Sequence, residues 1–344
     1  MILIKLLAVG ATSPLLKKRS GKMSTYKFGR GLPTWNGVPM VGGIPITDGD
    51  YYFVNYGTGS DGNKGTSIDK PFKTLDKAND SVTTNNNDVV CLMGNTQHAL
   101  TEMLTVSKNR VNFVGIDGSS GRPYGQNARV TLGDTEAATD IGTIKNTGIR
   151  NSFTNIKIQN ANEVDEGLYS LVEAGEYAKY VQCEIYKSTD LDENLAAEIA
   201  MNGNSATFYD CTIGSTVNAL SGAVIRPCVM LTREIVSGEY CVDSLFVNCR
   251  FLRRATNTAN AFVWCTTATD IEGLLEFRDC VFAATKRSTA EPDVAIGGTN
   301  LTVGEILCTG STCENNCGAL ATQTGVFSAL PTYTAGGGSG IQAT

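Results

Sequence analysis

Short runs in which apolar and polar residues alternate dominate the chain, and five of them share one pattern. They are Phe153-Thr154-Asn155-Ile156-Lys157-Ile158, Val181-Gln182-Cys183-Glu184-Ile185, Phe208-Tyr209-Asp210-Cys211-Thr212-Ile213, Phe246-Val247-Asn248-Cys249-Arg250-Phe251 and Phe277-Arg278-Asp279-Cys280-Val281-Phe282. Most read apolar, variable, amide or acid, small apolar, variable, apolar. Alternation with a period of two is the pattern of short strands. Ile306-Leu307-Cys308 reads as a degenerate sixth copy.

The spacings turn these runs into an architecture. From Ile156 to Cys183 is 27 residues, from Cys183 to Cys211 28, from Cys211 to Cys249 38, from Cys249 to Cys280 31, and from Cys280 to Cys308 28. Self-similarity at such periods marks a solenoid, whose longer intervals are absorbed by loop insertions. Equivalent positions then lie above one another in successive coils. Cysteine suits an inward ladder, because a thiol is small, apolar and readily buried. The neighbouring Gln182, Asp210, Asn248 and Asp279 are expected at a turn or strand edge.

The segment from residue 51 to 116 reads as the entry to this solenoid. Tyr51–Asn55 is a strand and 57–66 (GTGSDGNKGT) a turn-rich loop. Phe72, Leu75, Ala78 and Val82 recur at near-helical spacing, which predicts a short amphipathic helix over Thr74–Ser81. Further strands are expected at Asp88–Met93, Leu104–Val106 and Val111–Gly115. Residues 1–48 read as an irregular arm, since Gly and Pro interrupt the apolar residues Trp35, Val38, Met40 and Val41. Residues 49–325 are assigned to the solenoid. Residues 326–344 form a tail that ends in Gly-rich sequence, with Phe327, Leu330 and Tyr333 as candidates for packing.

YYFVNYGTGSDGNKGTSIDKPFKTLDKAND (Tyr51–Asp80), followed by DVVCLMGNTQHALTEMLTV and VNFVGIDG, resembles the entry segment of pectin-lyase-like right-handed β-helix proteins. More narrowly, it resembles the β-helix proteins found among tailed-phage structural proteins. The pattern runs over roughly residues 50–285, and its specific part over 50–118. The resemblance implies an all-β, single-stranded, right-handed parallel β-helix with a short N-terminal capping helix. Many functions share that fold, so it bears on function weakly.

Composition agrees with a strand-rich chain. Of 344 residues, 42% are hydrophobic and only 18% charged, and 37 are Gly. That charged share lies below the roughly 25% of ordinary globular domains. The net charge of −6 argues against nucleic acid as the partner. Cysteine numbers 11, an odd count, and the ladder spacing points to buried free thiols made in a reducing compartment. Met1–Val9 is apolar but short, and its positive cluster follows it, so it does not read as a secretory signal. No stretch approaches a membrane span.

Candidate chemistry is sparse. Polysaccharide lyases and hydrolases need grouped carboxylates as acid and base. Asp134 with Asp140, and Asp190, Asp192 and Glu193, are the sets available, and both read as solvated loops. His98 is the only histidine, and it reads as a loop residue without a nucleophile motif. Cys313 and Cys317 form a CxxxC pair with no second pair at metal-site distance. Asp61, Asn63 and Asp69 offer oxygen ligands without the twelve-residue calcium loop. Trp264, near Phe262, reads more readily as core than as a sugar platform. No catalytic, cofactor or metal residue is therefore assigned.

The expected function is that of a structural protein of a tailed-phage virion, not an enzyme. Lys17, Lys18, Arg19, Lys22, Lys27 and Arg30 make the start basic while the remainder is acidic, which suits an arm docking on an acidic shell. The expected role is capsid decoration or stabilisation on the particle exterior, after synthesis in the host cytoplasm. The expected partners are the major capsid protein or other virion proteins, and further copies of the chain, with a trimer as the simplest assembly. Neither nucleic acid nor a membrane is expected as a partner, and no cofactor is. The alternative is a tail spike or fibre that binds or cleaves a surface polysaccharide.

Overall fold

The computed structural model describes residues 47–116 except 95–96, 128–133, 141–161, 169–187, 197–215 except 202, 228–231, 241–255, 262–265, 271–286 except 273, 296–298, 305–314 and 326–328. It also describes the strands Thr34–Trp35 and Val38–Pro39, which pair antiparallel. The chain divides into two units, Met1–Gly42 and Gly43–Thr344. The hairpin lies within the arm expected to be irregular. Its two strands are separated by Asn36-Gly37, the dipeptide that favours a two-residue hairpin connection.

The larger unit is a stack of coils. Each complete coil gives one strand to each of three sheets, and every strand pairs parallel with its equivalent in the next coil. The first sheet has ten strands, from Tyr51–Val54 to Val326–Ser328, the second has eight and the third seven. The solenoid therefore continues three residues past the limit expected at residue 325, because Val326 pairs with Ile306. Parallel strands joined by crossovers take the right-handed sense. The chain is an all-β, single-stranded, right-handed parallel β-helix.

Register stacks like on like. On the first sheet, Phe113, Phe153, Tyr180, Phe208, Phe246 and Phe277 occupy one inward column. Their rings lie 4.6–5.1 Å apart, at interplanar angles of 4–8°. The spacing is that of neighbouring strands, so each ring meets the next face to face. Val130, Ile158, Ile185, Ile213, Phe251 and Phe282 form the matching column of the second sheet. Ile144, Leu171, Ile199, Val229, Val263 and Ile296 form that of the third. Burying one such side chain stabilises the fold by about 1.5–3 kcal/mol, and columns of them hold the coils together.

The five repeats are corners rather than continuous strands. Each breaks at its amide or acid. Asn155, Gln182, Asp210, Asn248 and Asp279 all have φ between 52° and 56°. A single left-handed residue turns the chain from the first sheet into the second, and Asn and Asp tolerate that conformation better than other residues with a Cβ. The backbone N–H of each donates to the next coil, as from Asn155 to the Val181 carbonyl (2.9 Å) and from Asp279 to that of Thr309 (2.7 Å). Asn248 Nδ2 also donates to Asp210 Oδ1 at 2.7 Å.

The small residue after each left-handed turn is the ladder. Cys183, Cys211, Cys249 and Cys280 are free and buried. Each thiol donates to the carbonyl of the aromatic residue one coil back: Phe153, Tyr180, Phe208 and Phe246, at 3.3–3.6 Å. Cys308 does not continue the ladder. It pairs with Phe277 in the aromatic column, and Ser311 stands above Cys280. Ser311 Oγ donates to the Phe277 carbonyl at 3.1 Å, the same bond with a hydroxyl. The sixth copy is thus Cys308-Thr309-Gly310-Ser311-Thr312-Cys313, with Gly310 at φ 65° in the turn.

The N-terminal end is closed by the helix Leu75–Ser81. Thr74 is its N-cap and accepts from Lys77 N–H. Leu75 and Ala78 join the main core, which seals the first coil. Most insertions share one place in the coil. Second-sheet strands are joined to third-sheet strands by long segments, such as 133–141, 188–198 and 216–228, while the left-handed corner stays short from Asn155 onward.

Candidate functional site

The outward face of the second sheet carries an ordered polar arrangement. Inward Val130, Ile158 and Ile185 alternate with outward neighbours, which form a grid of two columns on three adjacent strands. One column is Arg129, Lys157 and Glu184, and the other is Thr131, Gln159 and Tyr186. Arg129 donates to Gln97 Oε1 (2.5 Å) and Gln159 Oε1 (3.4 Å). Lys157 Nζ lies 3.0 Å from Glu184 Oε1 and 4.5 Å from the centre of the Tyr186 ring. Lys157 and Glu184 are only 19% and 18% exposed, so their attraction is less screened than that of a fully solvated pair.

Two polar atoms of this grid have no hydrogen-bond partner although they are buried: Thr131 Oγ1 and Glu184 Oε2. The sequence reading missed the grid. Its signal is present in R-V-T-L, K-I-Q-N and E-I-Y-K, where a polar residue stands on each side of one aliphatic residue. Alternation alone cannot show that three such runs lie side by side.

A second polar group lies inside the coil. Glu173 ends a third-sheet strand and is fully buried. It accepts from Asn146 Nδ2 (3.0 and 3.1 Å), the Gly175 N–H (2.8 Å) and the Tyr180 hydroxyl. Burial raises its pKa to about 7, against the lowering effect of those donors.

The residues weighed from sequence fall elsewhere. His98 is not in a loop. It lies in the strand Gln97–Leu100 and is 1% exposed, in register with Val130 of the inward column. Its Nε2 lies 3.0 Å from the Met93 carbonyl, and burial lowers its pKa, so it is held as a neutral core residue. Asp61 is occupied by the helix entry: it accepts from the N–H groups of Lys73 and Thr74 (both 2.9 Å) and from Thr74 Oγ1 (3.0 Å). Asn63 donates to the Pro71 carbonyl, and Asp69 N–H to Ser67 Oγ. These three do not converge on a cation. Trp264 pairs in register with Met230 and Gly297. Cys313 lies in the strand Thr312–Glu314. Asp134, Asp140, Asp190, Asp192, Glu193 and Cys317 lie outside the described residues, as do Leu330, Tyr333 and the basic residues of the arm. Among the described residues no group of three His, Cys, Asp or Glu is placed to hold a metal. No helix among them is long and apolar enough to cross a membrane.

Three parallel sheets, stacked interior columns and a one-residue left-handed corner define a parallel β-helix of the pectin-lyase-like fold. Solved structures agree. The chain is similar to the pectate lyase Pel9A, with a TM-score of 0.58 and 13% identity over 87% of this chain and 74% of that one. It is also similar to a pectin methylesterase variant in complex with a hexasaccharide, with a TM-score of 0.52 and 13% identity over 88% of this chain and 94% of that one. At that identity the likeness concerns the fold alone, which here serves enzymes of two kinds. No protein-family profile matches the sequence, and no curated protein does.

Proposed function

We propose that the chain is a structural β-helix of a tailed-virus particle, anchored by residues 1–48 and set on the exterior of the head as a self-associating decoration. The observation that carries this reading is the use made of the ionisable groups. Asp61 fixes the capping helix. Asp88 accepts from the N–H groups of Asp50 (2.8 Å) and Thr83 (2.7 Å) and from Asn86 Nδ2 (2.7 Å), joining the first two coils. Glu173 holds a corner, and Glu184 is paired with Lys157. Groups tied into the coil in this way serve rigidity rather than proton transfer, and rigidity is what a projecting or shell-bound element needs. The basic arm ahead of an acidic solenoid supports attachment to an acidic shell.

The rival reading is a spike that binds or cuts a surface polysaccharide. The fold's occurrence in a pectate lyase and a pectin methylesterase favours it. One experiment separates the two. Purified particles are imaged with labelled antibody against the chain, alongside particles made with a variant lacking residues 1–48. Regular labelling over the head that is lost with the arm supports decoration. Labelling confined to the tail tip supports the spike, and absence of labelling overturns the virion assignment.

A further inference from the structure

A second left-handed corner joins the third sheet to the first. Strand register places Arg110, Arg150, Tyr177, Ser205 and Asp243 at one position in five successive coils. All five have φ between 47° and 59°. Ser205 and Asp243 are short polar residues of the kind such a turn favours, and the other corner uses amides and acids. A bulky residue is costly in this conformation. Three coils in a row nevertheless hold Arg, Arg and Tyr where Asn would relieve the turn. Strain of this kind gathers where a side chain has a use beyond the fold.

What the corner shows to solvent fits such a use. Among the described residues the exposed large hydrophobic side chains are Ile149 (37%) and Tyr177 (54%), and both lie here. Ile149 pairs with Glu176 of the next coil, the neighbour of Tyr177. Arg110 and Arg150 are exposed too. The Arg150 guanidinium stands 5.7 Å from the centre of the Tyr177 ring. Among the described residues neither guanidinium has a hydrogen-bond or ion-pair partner. Arg and Tyr are the usual anchors of a protein contact. The charges decide the partner. On a chain of net charge −6, this corner carries two unpaired arginines against one carboxylate, Glu176. A guanidinium takes a carboxylate in paired hydrogen bonds. A second copy meeting through the same corner would set Arg150 against its own equivalent. A nucleic acid needs a longer basic row, and an acidic saccharide would leave Ile149 without an apolar contact.

We propose that Arg110, Ile149, Arg150 and Tyr177 form a docking ridge for an acidic segment of a partner protein. The guanidiniums take its carboxylates, and Ile149 and Tyr177 take its apolar side chains. The ridge needs neither the arm nor a shell, so it stands apart from the virion reading. The probe is a fluorescein-labelled hexapeptide of alternating Glu and Leu, titrated by anisotropy into the full chain, with alternating Gln and Leu as the neutral comparison. The acidic peptide is expected to bind with a Kd of about 100 μM and the neutral one about tenfold more weakly. Arg110→Asn with Arg150→Asn installs a residue that the turn prefers. It is expected to weaken binding about tenfold while Tm does not fall, an outcome that a merely structural role excludes. Ile149→Ser and Tyr177→Asn should each weaken binding about threefold. Lys64→Gln, at an exposed lysine of the entry loop, leaves it unchanged. The proposal is overturned if the acidic peptide does not bind at about 1 mM, if the double variant binds as the unmodified chain does, if the neutral peptide binds as tightly, or if trigalacturonate binds in place of the peptide. Sedimentation of the unmodified chain and the double variant tests the other occupant: self-association lost in the variant assigns the ridge to a second copy and rejects the acidic partner.

Discussion

Inside the coil the Tyr180 hydroxyl donates to the Glu173 carboxylate, joining a third-sheet strand to the aromatic column of the first sheet across one corner. Both groups are fully buried, and burial pushes both pKa values up, that of Glu173 from 4.5 to about 7. The folded chain therefore binds a proton on Glu173 between pH 4.5 and 7 that the unfolded chain has released. The stabilisation from this proton is complete below about pH 4.5 and is lost as the pH rises through about 7, a change of about 3 kcal/mol. Urea midpoints between pH 4.5 and 8 should fall with pH by this contribution, and Glu173→Gln should flatten that part of the profile. An identical slope in the variant rejects the assignment.

The thiol ladder is chemically quiet. Cys183, Cys211, Cys249 and Cys280 are all buried, none more than 2% exposed. A thiol out of reach of water is also out of reach of an alkylating reagent. Native chain treated with iodoacetamide at pH 8 should leave Cys183, Cys211, Cys249 and Cys280 unmodified, with all four labelled once urea unfolds it. Mass spectrometry of the peptides reads the result, and rapid native labelling at any of the four contradicts their placement.

The period of the ladder was legible in sequence because cysteine and aromatic residues recur at the same inward positions. The error at Cys308 shows the limit of such reading. Cysteine serves columns besides the ladder, as Cys313 does beside Phe282, and only the position of Gly310 two residues later reveals that Cys308 has moved to the aromatic one. His98 was misplaced for a related reason: Q-H-A-L is too short and polar to announce a strand, yet its partners Val130 and Leu132 place His98 and Leu100 inward. The grid of Arg129, Lys157, Glu184 and Tyr186 was not legible, since it depends on register between runs about 30 residues apart.

The left-handed corner sets a rule for substitution. Asn248 is exposed at φ 52°, and its backbone N–H donates to the Arg278 carbonyl at 2.9 Å. Asn248→Gly removes the steric cost of that conformation along with one exposed side-chain bond, and should leave stability within about 0.5 kcal/mol. Asn248→Val forces a β-branched residue into the same turn and should cost about 1–2 kcal/mol. Thermal unfolding of the pair decides it. Equal losses would mean that the corner tolerates any residue and that the amide or acid at each repeat serves another purpose.

Lys108 ties the cap to the coil. Its ammonium donates to the carbonyls of Asn79 (3.0 Å), Asp80 (2.7 Å) and Val82 (2.7 Å), at the end of the capping helix. These carbonyls have lost or are losing helical partners, and the negative end of the helix favours a cation there. Charged hydrogen bonds are each worth about 1.5–3 kcal/mol where shielded, and exposure at this edge reduces that. Lys108→Met keeps the aliphatic stem and removes the charge, and should cost about 2 kcal/mol. The loss should be local: amide exchange should accelerate in Leu75–Ser81 and in the first strand, Tyr51–Val54, while the Phe208 and Phe246 amides stay protected. Uniform acceleration along the solenoid would show that the cap and the coils unfold as one unit, and that Lys108 supports the whole stack rather than its end.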